Sequence, residues 1–597
     1  MFDLFEENDD FAEVQKKAIK LSVLKRMIYL FSGHRRELLW AFVSAITSTI
    51  FLAGLPLIFR SIIDRGITTG NGALLLWLSA AYLGMLVIHR GFEYFQSLVV
   101  GSMGITIVSD LKKKLLNHVL TLSIRFFDTT ETGKLISRIE SDSQRLFMLF
   151  SSVGLQLFGA MLNIGVSLAI MFTVSVEFTL YVLLCAPLFV GSAIVVFGKM
   201  RPMFRKDREM YASITGFSGE HITAIPLLRN LGNLGWSRDK FAEMNREKTI
   251  YATKIESIEA MFWFIMFLTP VIVNVIILHI GAGKIASGTM TVGTIWLFIQ
   301  YVAAIVHPLI MISEQISELQ KSMGGAERIF DILDMKPEVL NPSKPLLMKP
   351  FESAIRFDNV QFGYNDNAVL QGVSFEIPKG KSVAIVGATG AGKTTILSLL
   401  TRWYDVTNGA ITIDGTDIRH YRQEDLAAKM SFVMQDIFLF PGTIRENLKA
   451  LRSDITDEAV EAAIKNLDIE HIIDRFENGL DTVLVENGKN LSYGERQLLS
   501  FARALAFNPD ILVIDEATSS VDPVTEARVQ ASLNTLLEGR TSVIIAHRLA
   551  TIIHADTIFV MDRGRLIEQG SHRELLSKGG MYAQLYSLQT GGATHYA

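Results

Sequence analysis

Gly387, Ala388, Thr389, Gly390, Ala391, Gly392, Lys393 and Thr394 follow one another in the second half of a 597-residue chain. Three glycines in that pattern let backbone N–H groups turn inward on an anion, while Lys393 reaches β/γ phosphate oxygens and the Thr394 hydroxyl is placed to ligate magnesium. Thr395 is a further candidate for nucleotide contact. The loop lies between an apolar run, 382–386, and a helical run, 395–400. That is the strand-to-helix setting the chemistry requires, because the helix points its positive end at the same phosphates. Further along, Ile511, Leu512, Val513 and Ile514 form a second short β-type run ending in Asp515 and Glu516. In a parallel sheet that tip is where nucleotide binds.

The elements carrying these residues fill only half the chain. Hydrophobic residues make up 49% of it, and mean hydropathy is +0.31. The excess is crowded before about residue 351. The expected fold is therefore multidomain: an all-α transmembrane domain of six spans, then an α/β nucleotide-binding domain with a phosphate loop.

The spans are expected at 38–59, 73–89, 150–174, 178–197, 258–280 and 290–312, each near the roughly 20 residues that cross a bilayer. Before them lies a segment, 1–37, in which 19–31 reads as an amphipathic helix on a membrane face or as an ordinary surface helix. After them come a Pro-punctuated linker, 313–352, a nucleotide-binding domain, 353–589, and a short tail, 590–597.

Lys112, Lys113, Lys114, Arg125, Lys134 and Arg138 lie between spans two and three, and Lys199, Arg201, Arg205 and Lys206 follow span four. The positive-inside rule then puts both long loops, both termini and the phosphate loop in the cytoplasm. Each loop, of about 60 residues, far exceeds an ordinary helix connection and reads as helical extensions of the spans. They are expected to turn near 123–128 and 218–222. Polar residues inside the spans, Asn163, Glu259, Asn274, Gln300 and His307, should face other helices or a wet cavity.

Net charge is −4 and there is no basic block, so nothing suggests nucleic-acid binding. One cysteine, Cys185, excludes an intrachain disulfide.

Nearly the whole chain resembles the ATP-binding cassette (ABC) exporters that fuse six spans to one nucleotide-binding domain. Phe126, Phe127, Asp128, Thr132, Gly133, Leu135, Ser137, Arg138 and Asp142 resemble the first intracellular loop of that family. By the same resemblance, Tyr364 would stack on adenine. Gln435 would contact magnesium and the attacking water, with Thr394 and Asp515 completing the metal site. Glu516 would polarise the water and His547 would bond the γ-phosphate.

Leu491, Ser492, Tyr493, Gly494 and Glu495 stand where the family's signature Leu-Ser-Gly-Gly-Gln belongs. In the family each signature closes on ATP held by the other domain of a dimer, so Ser492, Gly494 and Asp522 would serve a partner's nucleotide. Tyr493 and Glu495 depart from the pattern, adding bulk and negative charge close to phosphate. The resemblance is therefore to the half of bacterial heterodimeric multidrug-type exporters that keeps the catalytic Glu and carries a variant signature.

The expected partners are a second half-transporter with an intact signature, the lipid bilayer of a bacterial cytoplasmic membrane, and a hydrophobic or amphipathic solute. ATP and Mg2+ are the expected ligands. A homodimeric exporter of lipid or peptide, or an ATP-gated channel or regulator, are the alternatives.

Overall fold

The computed structural model describes residues 21–150, 154–364, 367–485, 488–515, 523–545 and 549–589. The chain forms two compact units. The first comprises residues up to 120 and 133–334, and the second comprises 121–132 and everything from 335 onward.

Among the helices of the first half, in chain order, are α1 (Leu21–Leu30), α2 (Arg35–Ser61), α3 (Gly72–Val119), α4 (Ile124–Thr129), α5 (Gly154–Val174), α6 (Val176–Thr223), α7 (Ile225–Asn230), α8 (Leu234–Ala286) and α9 (Val292–Asp334), with two further short helices, Thr132–Ser137 and Ser143–Met148, between α4 and α5. Among the described residues, four segments, Arg35–Ile67, Gly72–Val119, Gly154–Val174 and Leu234–Ala286, are long and apolar enough to cross a membrane. Their outer faces leave large apolar side chains exposed, among them Leu76, Trp77, Phe264 and Phe267. In a water-soluble bundle that surface would be costly; against lipid it is not.

At 1.5 Å per residue, the 48 residues of α3 span about 70 Å, more than twice the hydrocarbon thickness. The long loops are thus helical extensions of apolar segments, as expected. The first turns at α4, close to the expected 123–128. The second does not turn at 218–222: α6 runs unbroken to Thr223, and the reversal is made by α7 and residues 231–233. Gly216 and Gly219 weaken the helix without ending it, whereas Pro226 sits in the first turn of α7 and Gly232 adopts φ +68°.

A second correction concerns the linker. α9 continues through Asp334, with Ala326, Ile329 and Ile332 fully buried, so 313–334 is helix within the first unit. Only the stretch from 335 to the first strand lacks regular structure, and there the prolines remove the donors a helix needs.

Polar groups tie these helices together. The Asp64 carboxylate accepts from Gly293 N at 2.9 Å and from the Thr291 hydroxyl at 2.6 Å, capping the start of α9 from the end of the first apolar segment. The Tyr301 phenol donates to Ala53 O, and Asn163 Nδ2 to Ala304 O at 3.2 Å, so Asn163 joins two helices. Asn274 Oδ1 is buried without a partner, Glu259 and Gln300 are half-buried, and the His307 side chain lies outside the described residues. Asp142, 3% exposed, takes a fork of two bonds from Arg328 at 2.9 and 2.5 Å. On α1, Val23 and Met27 are buried and Arg26 pairs with Asp334. That face of the helix is covered by protein rather than presented to a membrane surface.

The second unit holds β1 (Ala354–Phe362), β2 (Leu370–Pro378), β3 (Ser382–Gly387), α10 (Lys393–Leu400), β4 (Asn408–Ile413), β5 (Thr416–Asp417), β6 (Met430–Val433), β7 (Gly442–Thr443), β8 (Val483–Leu484), α11 (Tyr493–Phe507), β9 (Ile511–Asp515), α12 (Pro523–Leu537), β10 (Thr541–Ile545), β11 (Thr557–Asp562) and β12 (Arg565–Gly570). A six-stranded sheet has the order β12-β11-β3-β10-β9-β6, and a four-stranded antiparallel sheet the order β2-β1-β4-β5. β3, β9 and β10 are apolar runs buried on both faces, as parallel strands covered on two sides must be. One core contains Ile396, Leu397 and the four-stranded sheet; the other contains α11 and α12 residues such as Leu498, Phe501 and Leu533.

Candidate functional site

Strands β11, β3, β10, β9 and β6 pair in parallel, so their carboxyl ends share one edge. The loop 387–392 leaves β3 on that edge, Asp515 is the last residue of β9, and Gln435 comes two residues after β6. Residues separated by more than a hundred positions are thus gathered by strand order alone. Gln435 is exposed there and Asp515 half-buried. Glu516, Asp522 and His547 lie outside the described residues.

The loop needs its glycines. Gly390 and Gly392 adopt φ +81° and +94°, which side-chain-bearing residues rarely reach. A Cβ at Gly392 would also fall 2.7 Å from Leu370 Cδ2, and one at Gly387 2.2 Å from Met561 O. Lys393 opens α10 and is 7% exposed. Its ammonium donates to Gly387 O at 2.8 Å and Ala388 O at 3.0 Å, inside the curl of the loop. Burial holds its pKa below the usual lysine value, partly opposed by the charge of Asp515.

Thr389 and Thr394 are exposed on the same loop. Thr395 is buried, and its hydroxyl pairs with the Tyr364 phenol at 3.3 Å. This places Thr395 behind the ring that would stack on a base. A glycine cradle, an inward lysine, a helix amino end and a carboxylate at the neighbouring strand tip fit a magnesium–triphosphate.

The signature segment starts a helix. The Ser492 hydroxyl accepts from Glu495 N at 3.3 Å, while Ser492 N donates to Glu495 Oε2 at 2.8 Å, a reciprocal cap on α11. Arg475 forks onto the same carboxylate at 2.6 and 3.3 Å. The negative charge expected to burden this segment is therefore compensated locally by a guanidinium and by the helix amino end. Gly494 is buried, and the Tyr493 phenol reaches towards Gln435 O at 3.4 Å.

Two participants carry no sequence signal by themselves. Arg475 lies 20 positions from Glu495, and the Tyr404 phenol donates to the Asp128 carboxylate across 276 positions. Only the folded chain pairs them.

The family described as "ABC transporter transmembrane region" matches residues 38–309, and that described as "ABC transporter" matches 370–519. The chain is 33% identical over 580 residues to the Bacillus subtilis "Uncharacterized ABC transporter ATP-binding protein YknV", covering 97% of this chain and 96% of that one. It is 30% identical over 575 residues to the "ATP-dependent lipid A-core flippase" of Desulfotalea psychrophila, covering 95% and 99%. Among solved structures, that of a bacterial Atm1-family ABC exporter with ATP bound superposes with a TM-score of 0.74 at 28% identity, covering 97% of this chain and 100% of that one.

Proposed function

This chain belongs to the ABC transporter family, and from that premise we propose that it is the catalytic half of a heterodimeric exporter with six spans. Membership itself fixes the broader role. The protein is an ABC exporter with a membrane-spanning helical domain and a cytoplasmic nucleotide-binding domain, and it couples ATP hydrolysis to transport.

The six spans of the proposal are α2, α3, α5, α6, α8 and α9, the helices longer than 20 residues among those described. The solute is hydrophobic or amphipathic. Support for that comes from the apolar, aromatic character of the spans and from a relative named for a lipid.

At the site, Lys393 exchanges its two carbonyl partners for phosphate oxygens, and Asp515 balances that cation from the adjacent strand. Magnesium held by Thr394, Gln435 and Asp515 would neutralise charge on the triphosphate. Tyr364 takes the base, with Thr395 bracing its phenol. Glu516 orients and polarises the attacking water, and His547 donates to the γ-phosphate. Ser492, Gly494 and Asp522 serve nucleotide held by the partner.

One observation carries the heterodimer reading. An intact phosphate-loop edge and a signature altered at Tyr493 and Glu495 occur in a single chain. Two such halves would build two equally altered sites, whereas a partner with the complementary defect leaves one complete. The compensation of Glu495 by Arg475 favours a second reading, a homodimer in which only Tyr493 obstructs closure.

Expression of the chain alone separates them. A monomer, or a dimer with negligible ATPase, fits the heterodimer; a stable dimer with full ATPase overturns it. In either assembly, Glu516→Gln should retain ATP binding while turnover falls by about a thousandfold, the scale of losing a water-activating base. Turnover near the wild-type rate would remove Glu516 from that role.

A further inference from the structure

We propose that Tyr404 and Asp128 are a positioning pair that reports occupancy of the base subsite at Tyr364 to α4, the first intracellular turn. Tyr404 is 6% exposed, and its phenol donates to the Asp128 carboxylate. Its ring meets that of Tyr364 edge to face, with centroids 5.1 Å apart at 88°, and that of Phe362 at 5.5 Å. Phe362 and Tyr364 are themselves in edge contact at 5.0 Å. Three rings thus close on one another, with Tyr364 bonded to Thr395 on the phosphate-loop helix at one end and Tyr404 bonded to α4 at the other.

α4 is anchored on this unit by other means. The Ser123 hydroxyl accepts from Glu338 N at 2.7 Å and Val339 N at 3.2 Å, Arg125 pairs with Glu338, and Ile124 packs on the core that includes Phe362 and Tyr404. These contacts seat α4 on the segment following α9 and on the core. The link through Tyr404 is different, because it leads to the base. Tyr404 is buried with its ring in edge contact with Tyr364, so a reorientation of Tyr364 on base stacking is transmitted as a shift of the Tyr404–Asp128 bond. Burial, then the adjoining Asp128 carboxylate, raises the Tyr404 pKa well above the usual phenol value, so the donor persists throughout the physiological range.

Phosphates held by the loop 387–394 would meet its backbone and Lys393 rather than the three rings. Base and phosphate occupancy are therefore distinguishable signals, and only the first depends on the Tyr404 hydroxyl. The inference rests on the reading of Tyr364 as the base-stacking residue.

The test is amide hydrogen exchange on the full-length transporter in lipid nanodiscs, with magnesium and either AMPPNP or inorganic tripolyphosphate. With AMPPNP, exchange in residues 123–130 should slow by about tenfold, and with tripolyphosphate by less than about twofold. In Tyr404→Phe, which keeps the ring, AMPPNP affinity should stay within about threefold of wild type while the slowing at α4 largely disappears. Asp128→Asn, which preserves an acceptor, should keep most of the response, and Asp128→Ala should lose it. Wild-type slowing in Tyr404→Phe, or equal slowing by tripolyphosphate, would overturn the relay. Failure of AMPPNP to bind the wild-type protein would instead sink the nucleotide-site reading, and the relay with it.

Discussion

At the scale of single residues, the two departures in the signature segment have unequal consequences. Glu495 serves as half of a helix cap and is paired with Arg475, so its charge would reach a phosphate placed at this helix start only weakly. Removing the guanidinium should expose it. Arg475→Ala is expected to weaken nucleotide affinity at the site this signature closes by about fivefold, on the scale of 1 kcal/mol for a partly exposed pair. Adding Glu495→Gln should restore most of the loss, and equilibrium binding of a fluorescent ATP analogue reads both steps. Lys393 has no such substitute. Lys393→Ala removes the buried ammonium from the loop and should lower ATP affinity at this chain's own site by at least about tenfold, measured the same way.

Among elements, α9 fits closely against the end of the first apolar segment. A Cβ on Gly293 would lie 2.7 Å from both Arg60 O and Asp64 Oδ1. Gly293→Ala must push these backbones apart, so we expect about 1–3 kcal/mol of destabilisation, seen as a lower unfolding temperature in detergent. Asp142 and Arg328 make a comparable point with charge: Asp142→Ala removes both acceptors of that fork, with an expected loss of about 1–3 kcal/mol.

The start of β3 is held by Asp556, which accepts from Ser382 N and Oγ and from Lys381. Burial alone would raise its pKa, but the Ser382 and Lys381 bonds outweigh it and hold the carboxyl below its usual value. A group depressed in the fold adds stability above its unfolded value, about pH 4, and loses it as pH falls through the lowered one. Asp556→Asn should therefore reduce stability at pH 7 and flatten the fall of melting temperature below about pH 4. A parallel acid limb in both proteins would refute that assignment.

For the whole molecule, the physical demand is that nucleotide binding move a transport equilibrium. A shift from 1:99 to 99:1 takes about 5.5 kcal/mol of differential binding, which two nucleotides bridging a dimer share at about half each. Under the proposed dimer, even a site weakened by Tyr493 would contribute to closure on that arithmetic. Tyr493→Gly, which restores the family residue, should raise the ATPase of the chain expressed alone if a homodimer forms, and change nothing if the chain stays monomeric. Size-exclusion with light scattering and phosphate release distinguish the outcomes.

The sequence by itself was enough for the local chemistry: a glycine loop whose spacing admits phosphate, apolar runs of bilayer length, and a strand ending in two carboxylates. Those are properties of neighbours along a chain, where sterics and hydropathy act over a few residues. It was also enough to expect helical extensions, although the second turn comes a few residues later than expected, at α7 with Pro226 in its first turn and at the left-handed Gly232 beyond it. Only the tertiary structure decided which distant groups meet. Arg475 beside Glu495, Tyr404 against Asp128, Asp64 over the start of α9 and the continuation of that helix to Asp334 all follow from packing, in which the partner of a charge or a ring is set by strand order and helix contact rather than by sequence distance.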